Sequence, residues 1–304
     1  RQDVERLDEG YTRSFTIYDT DDSQKGVKAC LKDLGLDEKK IVPRAVRSVI
    51  SSAKNRGEDV DLFASSVERT DEKQAAYAKV FQLYEERLRR ANALDFDDLL
   101  IKTVKLLRIS DEVREKYNDR YKYILVDEYQ DTNSLQLALI TYLTEKQQNI
   151  CVVGDDAQSI YGFRQADIRN ILEFEQQFPN AKVILLEQNY RSTQTILDAA
   201  DAIIGNNINQ KKKKLWTQNM GGERIFYCQA MDGDAEARFV ASRIEDHRRR
   251  DASKRIAVLY RTNAQSRTFE EALRRLRIEY NIVGGFSFYE RAEVKDIVAY
   301  LKLA

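Results

Sequence analysis

Residues 124–131 read Ile124-Leu125-Val126-Asp127-Glu128-Tyr129-Gln130-Asp131, an apolar run that stops on an acidic pair. Three consecutive branched apolar residues suit a strand buried on both faces, as in a parallel sheet. Asp127 and Glu128 then fall at the strand's carboxyl end, where open α/β sheets bind their ligands. An Asp in that place can hold Mg²⁺ directly or through water, and a neighbouring Glu can polarise an attacking water. The plainer reading is a strand that runs into an ordinary acidic turn. Asp-Glu alone does not separate the two.

The chain has 304 residues, room for two or more domains. A formal charge of zero with 33% charged residues gives no global basic signal, which still leaves space for a local nucleic-acid groove. Gly (12) and Pro (2) are scarce, so a helix-rich chain with few long loops is expected. Cys30, Cys151 and Cys228 lie far apart, and His247 is the one histidine. That set offers no metal-ligand spacing and no disulfide framework, and it fits a reducing compartment. No apolar run approaches the roughly 18 residues of a membrane span, and no signal-peptide pattern is visible. The chain opens on Arg1 within what reads as continuing sequence, so a fragment is expected.

Working outward from the acidic pair, residues 1–117 read mainly helical. Val27, Leu31 and Leu34 share a face over 23–34, with Gly35 as the C-cap. Similar apolar spacing predicts helices over 44–54, 71–88 and 94–107. The basic run Arg87-Leu88-Arg89-Arg90 reads as a solvated helix face, with a DNA-facing edge as the sharper alternative. From Tyr121 the period changes. Strands are expected at 123–126, 150–153 and 183–186, with helices near 134–146 and 166–177 between them. A helix over 192–204 leads to a second alternating set: strands 225–229, 256–260 and 280–283, helices 235–249, 264–277 and 291–303. This is βαβ order, and it implies parallel sheets with right-handed crossovers. The fold class is read as α/β: portions of two RecA-like (P-loop NTPase type) parallel-sheet domains behind a helical insertion domain. The expected boundaries are 1–117 for the insertion, 118–190 for the C-terminal part of the first domain and 191–304 for the N-terminal part of the second.

The second strand ends in Gly154-Asp155-Asp156-Ala157-Gln158-Ser159-Ile160-Tyr161-Gly162-Phe163-Arg164. Gln158, just past a strand and beside the acidic pair, can sense a terminal phosphate or orient a water. Tyr161 and Phe163, next to Arg164, suit stacking of unpaired bases, worth roughly 1–3 kcal/mol per base; as core aromatics they would have no such role. The third strand runs into Gln188-Asn189-Tyr190-Arg191-Ser192. Arg191 at a junction between two α/β units is placed to act as an arginine finger, and Tyr190 could cover an adenine face. A structural ion pair and a core tyrosine are the alternatives. Lys211–Lys214, beside Trp216, reads as a solvated loop.

Together these segments are far more specific than any one of them. The chain resembles the UvrD/PcrA/Rep type of superfamily 1 DNA helicases. The resemblance rests on Val126–Asp131, similar to motif II, a Walker B variant, on Gly154–Ala166, similar to motif III, and on Gln188–Ser192, similar to motif IV. Leu94–Leu99, Leu259–Arg267 and Gly284–Tyr289 also resemble family segments. It implies ATP and Mg²⁺ as cofactors, with Asp127 serving the metal, Glu128 activating water, Gln158 and Arg191 contacting the γ-phosphate and Tyr190 stacking on adenine. Tyr161, Phe163 and Arg164 would couple the ATP site to single-stranded DNA, and Arg261 and Asn263 would touch DNA from the second domain. It further implies 3′→5′ movement on single-stranded DNA and its junctions with duplex, in repair or replication, in a bacterial, cytoplasmic, nucleoid-associated setting with no membrane partner. A helicase-derived scaffold or DNA-binding module, and the helicase subunit of a helicase–nuclease, are the rival readings.

Three residues depart from the family pattern. Gln165 stands where relatives usually carry Gly, Phe163 where many carry Trp, and Ser287 where Lys is common. No Gly-x-x-x-x-Gly-Lys-[Ser/Thr] phosphate cradle occurs in the chain, and motifs V and VI are not recognisable in it. The segment on its own is therefore expected to be inactive as an ATPase.

Overall fold

Aspartates start four of the α-helices in the first hundred residues; the helix Pro43–Asn55 instead starts on its proline. Asp19, Asp59, Asp71 and Asp95 each accept a hydrogen bond from a backbone N–H two or three residues on, satisfying donors that the first turn leaves open. Each such cap contributes about 1 kcal/mol. The computed structural model describes residues 1–68, 70–219 and 221–283. Its contacts divide the chain into two units, Arg1–Gly222 and Glu223–Ala304.

In the first unit, α1 (Thr20–Asp33), α2 (Pro43–Asn55), α3 (Val60–Ser66) and α4 (Glu72–Arg90) surround one apolar core. Val27, Leu31, Val46, Ile50, Phe81 and Tyr84 fill it, each essentially excluded from solvent. At roughly 1.5–3 kcal/mol per fully buried large side chain, this core is the main stabilising term of the helical region. Gly35 follows α1 in the left-handed conformation, φ +65°, as the spacing requires. The basic run at the end of α4 is a solvated face: Leu88 points into the core, Arg87 pairs with Asp33, and Arg89 and Arg90 are exposed.

A small sheet modifies the expectation of a helical beginning. β1 (Thr16–Tyr18) pairs in parallel with β2 (Ala93–Asp95), in register Thr16↔Ala93 and Tyr18↔Asp95. The helix expected from Leu94 therefore starts two residues later, as α5 (Phe96–Ile109), and α6 (Asp111–Arg120) follows. The Asp95–Asp98 capping box moves the start: it needs Asp95 extended, and the extended residue joins a strand.

Lys54 lies at the centre of this region, 2% exposed. Its ammonium donates to Asp95 and Asp98 at 2.8 Å each and lies 2.6 Å from Glu85. One cation thus ties α2 to α4, β2 and α5. Burial pushes the Asp98 carboxyl up to about 8, the neighbouring Glu85 and Asp95 charges adding to it against the pull of Lys54. Asp95 goes the other way: burial raises it, and Lys54 outweighs burial.

Beyond Arg120 the second parallel pair begins. β3 (Ile124–Val126) and β4 (Ile150–Val152) run in register Ile124↔Ile150 and Val126↔Val152, joined through α7 (Ser134–Thr144). Val126 and Val152 face a core with Tyr129, Ile140 and Phe174. Leu125 and Cys151 alternate to the other side and are exposed, so β3 is buried on one face and not on both. The stretch expected as one helix over 166–177 is two short ones, α8 (Arg169–Leu172) and α9 (Phe174–Gln177), broken at Glu173. α10 (Gln194–Ile204) follows the expected helix at 192–204.

The strand expected at 183–186 forms no ladder. All four of its side chains are exposed, and its neighbourhood shows a single parallel bridge, Gln188↔Trp216. A strand takes its identity from a partner's backbone, and none runs beside this segment among the described residues.

In the second unit, α11 (Gly233–Arg250) packs on α12 (Ser266–Arg275). Ala237 and Ala241, one turn apart, let Phe269, Ala272 and Leu273 approach closely. Val258, Tyr260, Ile278 and Tyr280 lie against these helices, yet the segments expected as strands at 225–229, 256–260 and 280–283 have no ladder partner among the described residues. The helix expected at 291–303, the Gly284–Tyr289 segment and Ser287 lie outside the described residues. No helix among those described is long and apolar enough to cross a membrane.

Replacing Lys54 with Met leaves buried carboxylates unpaired and is expected to destabilise the fold by about 3–5 kcal/mol in urea unfolding. A pH effect arises from Asp98. Its folded value of about 8 lies above the ordinary 3.8, so the folded state holds a proton that the unfolded chain releases. Its contribution is complete below the lower value and is lost as pH rises towards the upper one. Asp98→Asn should flatten the fall of the melting temperature between pH 5 and 8; an unchanged slope would contradict the assignment.

Candidate nucleotide and nucleic-acid site

The ladder of β3 and β4 continues past the strands. Val153 N–H donates to Val126 O at 2.8 Å, and Tyr129 N–H donates to Val153 O at 3.0 Å. Residues 127–130 and 154–159 therefore leave the carboxyl end of the sheet side by side. This is where the sequence places Asp127, Glu128 and Gln158.

Glu128 is left-handed, φ +51° and ψ +41°. A non-glycine residue held there costs of order 1–3 kcal/mol and persists where the surroundings impose it. Two bonds do so: Glu128 N–H donates to Asp127 Oδ1 at 2.9 Å, and Gln130 Nε2 donates to Glu128 Oε2 at 2.7 Å. Both carboxylates are exposed to solvent. Asp131, three residues beyond Glu128, is held above the usual carboxylate range by burial and by the Glu128 charge.

Gln130 joins the two strand ends. It is 1% exposed, and its Oε1 accepts the Asp155 N–H at 3.0 Å. Its backbone oxygen accepts the Ser159 hydroxyl at 3.2 Å. Asp155 in turn accepts from Gln158 Nε2 at 2.9 Å and from Ala157 N–H at 3.0 Å. Lys213 pairs with Asp155 and, at 3.2 Å, with Asp156. Burial raises the Asp155 carboxyl, but the Lys213 and Gln158 hydrogen bonds outweigh it, so the group stays below the usual range. The four-lysine run is thus not a solvated loop throughout. Lys211 pairs with Glu175 at 2.5 Å, its N–H donates to Asp156, and Lys212 and Lys214 alternate outward.

Tyr161 and Phe163 extend from the same loop. Their rings lie 5.8 Å apart and are tilted by 40°, with Phe163 72% exposed. They are not core aromatics. The backbone of Arg164 closes the turn Gly162–Arg164. Gln165 follows at φ +67°, where glycine would cost nothing, and its amide donates to Ser52 O at the end of α2, 3.1 Å away.

Tyr190 and Arg191 occupy a separate turn. Asn189 Oδ1 accepts the N–H groups of Arg191 and Ser192, and the Tyr190 hydroxyl donates to Gln188. The Tyr190 ring is 78% exposed. Among the described residues no hydrogen bond or ion pair joins either side chain to Asp127, Glu128 or Gln158. The 211–216 segment bridges the two places, since Trp216 N–H donates to Glu187 O and Asn189 N–H to Trp216 O. Arg261 and Asn263 belong to the second unit, at the turn that opens α12, where Gln265 Oε1 accepts the Arg261 N–H. Both are exposed.

Gln130, Gly154 and Lys213 join the site through the fold and not through residue type alone. Gly154 did carry a signal, a glycine directly after an apolar strand.

Two family models cover nearly the whole chain. The UvrD/REP helicase N-terminal domain matches residues 1–179, and the UvrD-like helicase C-terminal domain matches 184–304. The chain belongs to the UvrD/Rep helicase family. It is 48% identical to a protein named ATP-dependent DNA helicase PcrA from Bacillus subtilis (strain 168), over 100% of this chain and 41% of that protein. Proteins of the same name from Staphylococcus aureus (strain Mu50 / ATCC 700699) and Staphylococcus epidermidis (strain ATCC 35984) are 46% and 44% identical over the same shares. The chain thus spans 41% of the length of these relatives.

A Cβ on Gly154 would lie 2.6 Å from Gln130 Oε1 and 2.8 Å from Ile171 Cδ1. Gly154→Ala is expected to destabilise by about 1–3 kcal/mol, measured as a lowered midpoint in thermal or urea unfolding.

Proposed function

We propose that the protein containing this chain is an ATP-dependent DNA helicase that translocates 3′→5′ on single-stranded DNA and acts at its junctions with duplex. One observation carries the reading: Asp127, a backbone-strained Glu128 and Gln158 gather at the carboxyl end of a parallel strand pair, with two exposed aromatics on the same loop. The relatives' printed name, ATP-dependent DNA helicase, supports it. The division into a helical insertion (1–117) and parts of two RecA-like domains (118–190, 191–304) belongs to the same reading.

Each residue then has a chemical task. Asp127 has one carboxylate oxygen on its neighbour's N–H and is solvent-facing. Mg²⁺ takes one or two carboxylates and keeps several waters, so this donor set fits it. When bound, the ion neutralises phosphate charge. Glu128 accepts a proton from the attacking water. Gln158 hydrogen-bonds the terminal phosphate, Arg191 stabilises its developing charge, and Tyr190 stacks on the adenine. Tyr161, Phe163 and Arg164 hold unpaired bases, while Arg261 and Asn263 contact the DNA strand. Nucleotide turnover and base stacking are coupled because Gln158 and the aromatics share one loop.

The full-length protein should hydrolyse ATP faster with single-stranded DNA and unwind a duplex with a 3′ tail but not one with a 5′ tail. Glu128→Gln should cut turnover on the order of 10²-fold or more while single-stranded DNA binding persists. Residues 1–304 alone should show no DNA-stimulated turnover, for want of the phosphate-cradle lysine. Unwinding from the 5′ tail alone would overturn the direction, and turnover by the isolated segment would overturn its inactivity.

A further inference from the structure

We propose that Gln130 is a positioning residue that aims the Glu128 carboxylate and couples it to the loop carrying Gln158, Tyr161 and Phe163. The proposal rests on the reading of Glu128 as the group that activates water.

Gln130 spends both ends of its amide on the two halves of the site. Nε2 donates to the Glu128 carboxylate at 2.7 Å, and Oε1 accepts the Asp155 N–H at 3.0 Å. An amide presents a donor and an acceptor from one planar group; an ionised carboxylate presents acceptors only, and an alkyl chain presents neither. The bond to Glu128 is charge-assisted and made by a side chain withdrawn from solvent, so it orients the carboxylate as a surface bond would not. Glu128 itself is exposed, on a backbone already in the left-handed region. Nothing else among the hydrogen bonds of the described residues holds its carboxylate.

The close approach is built in. Gly154 has no side chain where a Cβ would strike Gln130 Oε1, so the two strand ends meet across the amide. Ser159 adds a second link through its hydroxyl to the Gln130 carbonyl. The aromatics come within four residues of Ser159, and Asp155 holds Gln158. A shift of this loop therefore moves the acceptor end of Gln130, and with it the donor that aims Glu128. Misplacing a reacting group by about 1 Å can cost on the order of 10² in rate, so a small loop shift is enough to switch turnover.

The test uses the full-length helicase carrying Gln130→Glu or Gln130→Met, with ATP turnover measured with and without oligothymidylate between pH 6 and 8.5. At pH 8 both variants should lose on the order of 10² in DNA-stimulated kcat, with the KM for ATP and the affinity for oligothymidylate within about threefold of wild type. On lowering the pH, the carboxyl of Q130E takes a proton, regains a donor for Glu128 and keeps an acceptor for Asp155. Q130E should therefore recover part of its kcat towards pH 6, whereas Q130M should not. Wild-type kcat and DNA stimulation in both variants would overturn the proposal. So would a loss in Q130E that ignores pH, or loss of kcat, ligand affinity and melting temperature together, which marks a merely structural role. A wild-type protein without ATP turnover would overturn the functional reading and this proposal with it.

Discussion

The larger unit depends on one buried ammonium group. Lys54 reaches the carboxyl groups of Glu85, Asp95 and Asp98 on three other elements and is withdrawn from water, so the cluster cannot keep its buried negative charge without it. Removing a partner from such a cluster costs more than the intact cluster contributes, because the remaining charges stay buried. The consequence is positional. With α2 fixed by Lys54, the end of that helix offers Ser52 O to Gln165 and Asn55 Oδ1 to Asn133, the residue that caps α7. The helical region thereby holds both loops that leave the β3–β4 pair.

Strain is placed in those same loops. Glu128 and Gln165 both adopt left-handed backbone, and each has a side-chain bond that accompanies it: Gln130 to Glu128, and Gln165 to Ser52. At Gln165 the chain accepts a conformation that glycine would take freely and gains a tether that glycine could not make. The departure from the family pattern thus has a physical counterpart, a bond between the aromatic loop and α2.

The ionic links obey a similar logic. Asp155 is shared by Gln158, the Ala157 N–H and Lys213, and Lys213 lies on the segment that also pairs with the Tyr190–Arg191 turn. A lysine run read by composition alone is a solvated stretch. Here Lys211 and Lys213 are drawn inward by Glu175 and by the Asp155–Asp156 pair, while Lys212 and Lys214 stay exposed.

Helix positions and caps could be read from local sequence, since Asp19, Asp71 and Asp95 and the 3.6-residue spacing act within a few residues of themselves. The acidic pair, Gln158 and the aromatic loop could be read because an apolar strand delivers the residues after it to a sheet end. The strands beyond Phe178 could not. Val183–Leu186 has the right residue types, but a ladder requires a second backbone that no residue of the segment specifies. By itself the sequence determined the outline of the longer helices, such as those expected at 44–54, 71–88 and 235–249, the β3–β4 crossover and which residue types sit at its end. Only the tertiary structure decided that Leu94 and Asp95 are strand, that Lys54 is buried among acids and that Gln130 bridges Glu128 to Asp155. Those outcomes depend on groups brought together from distant parts of the chain, and local propensity carries no information about distant partners.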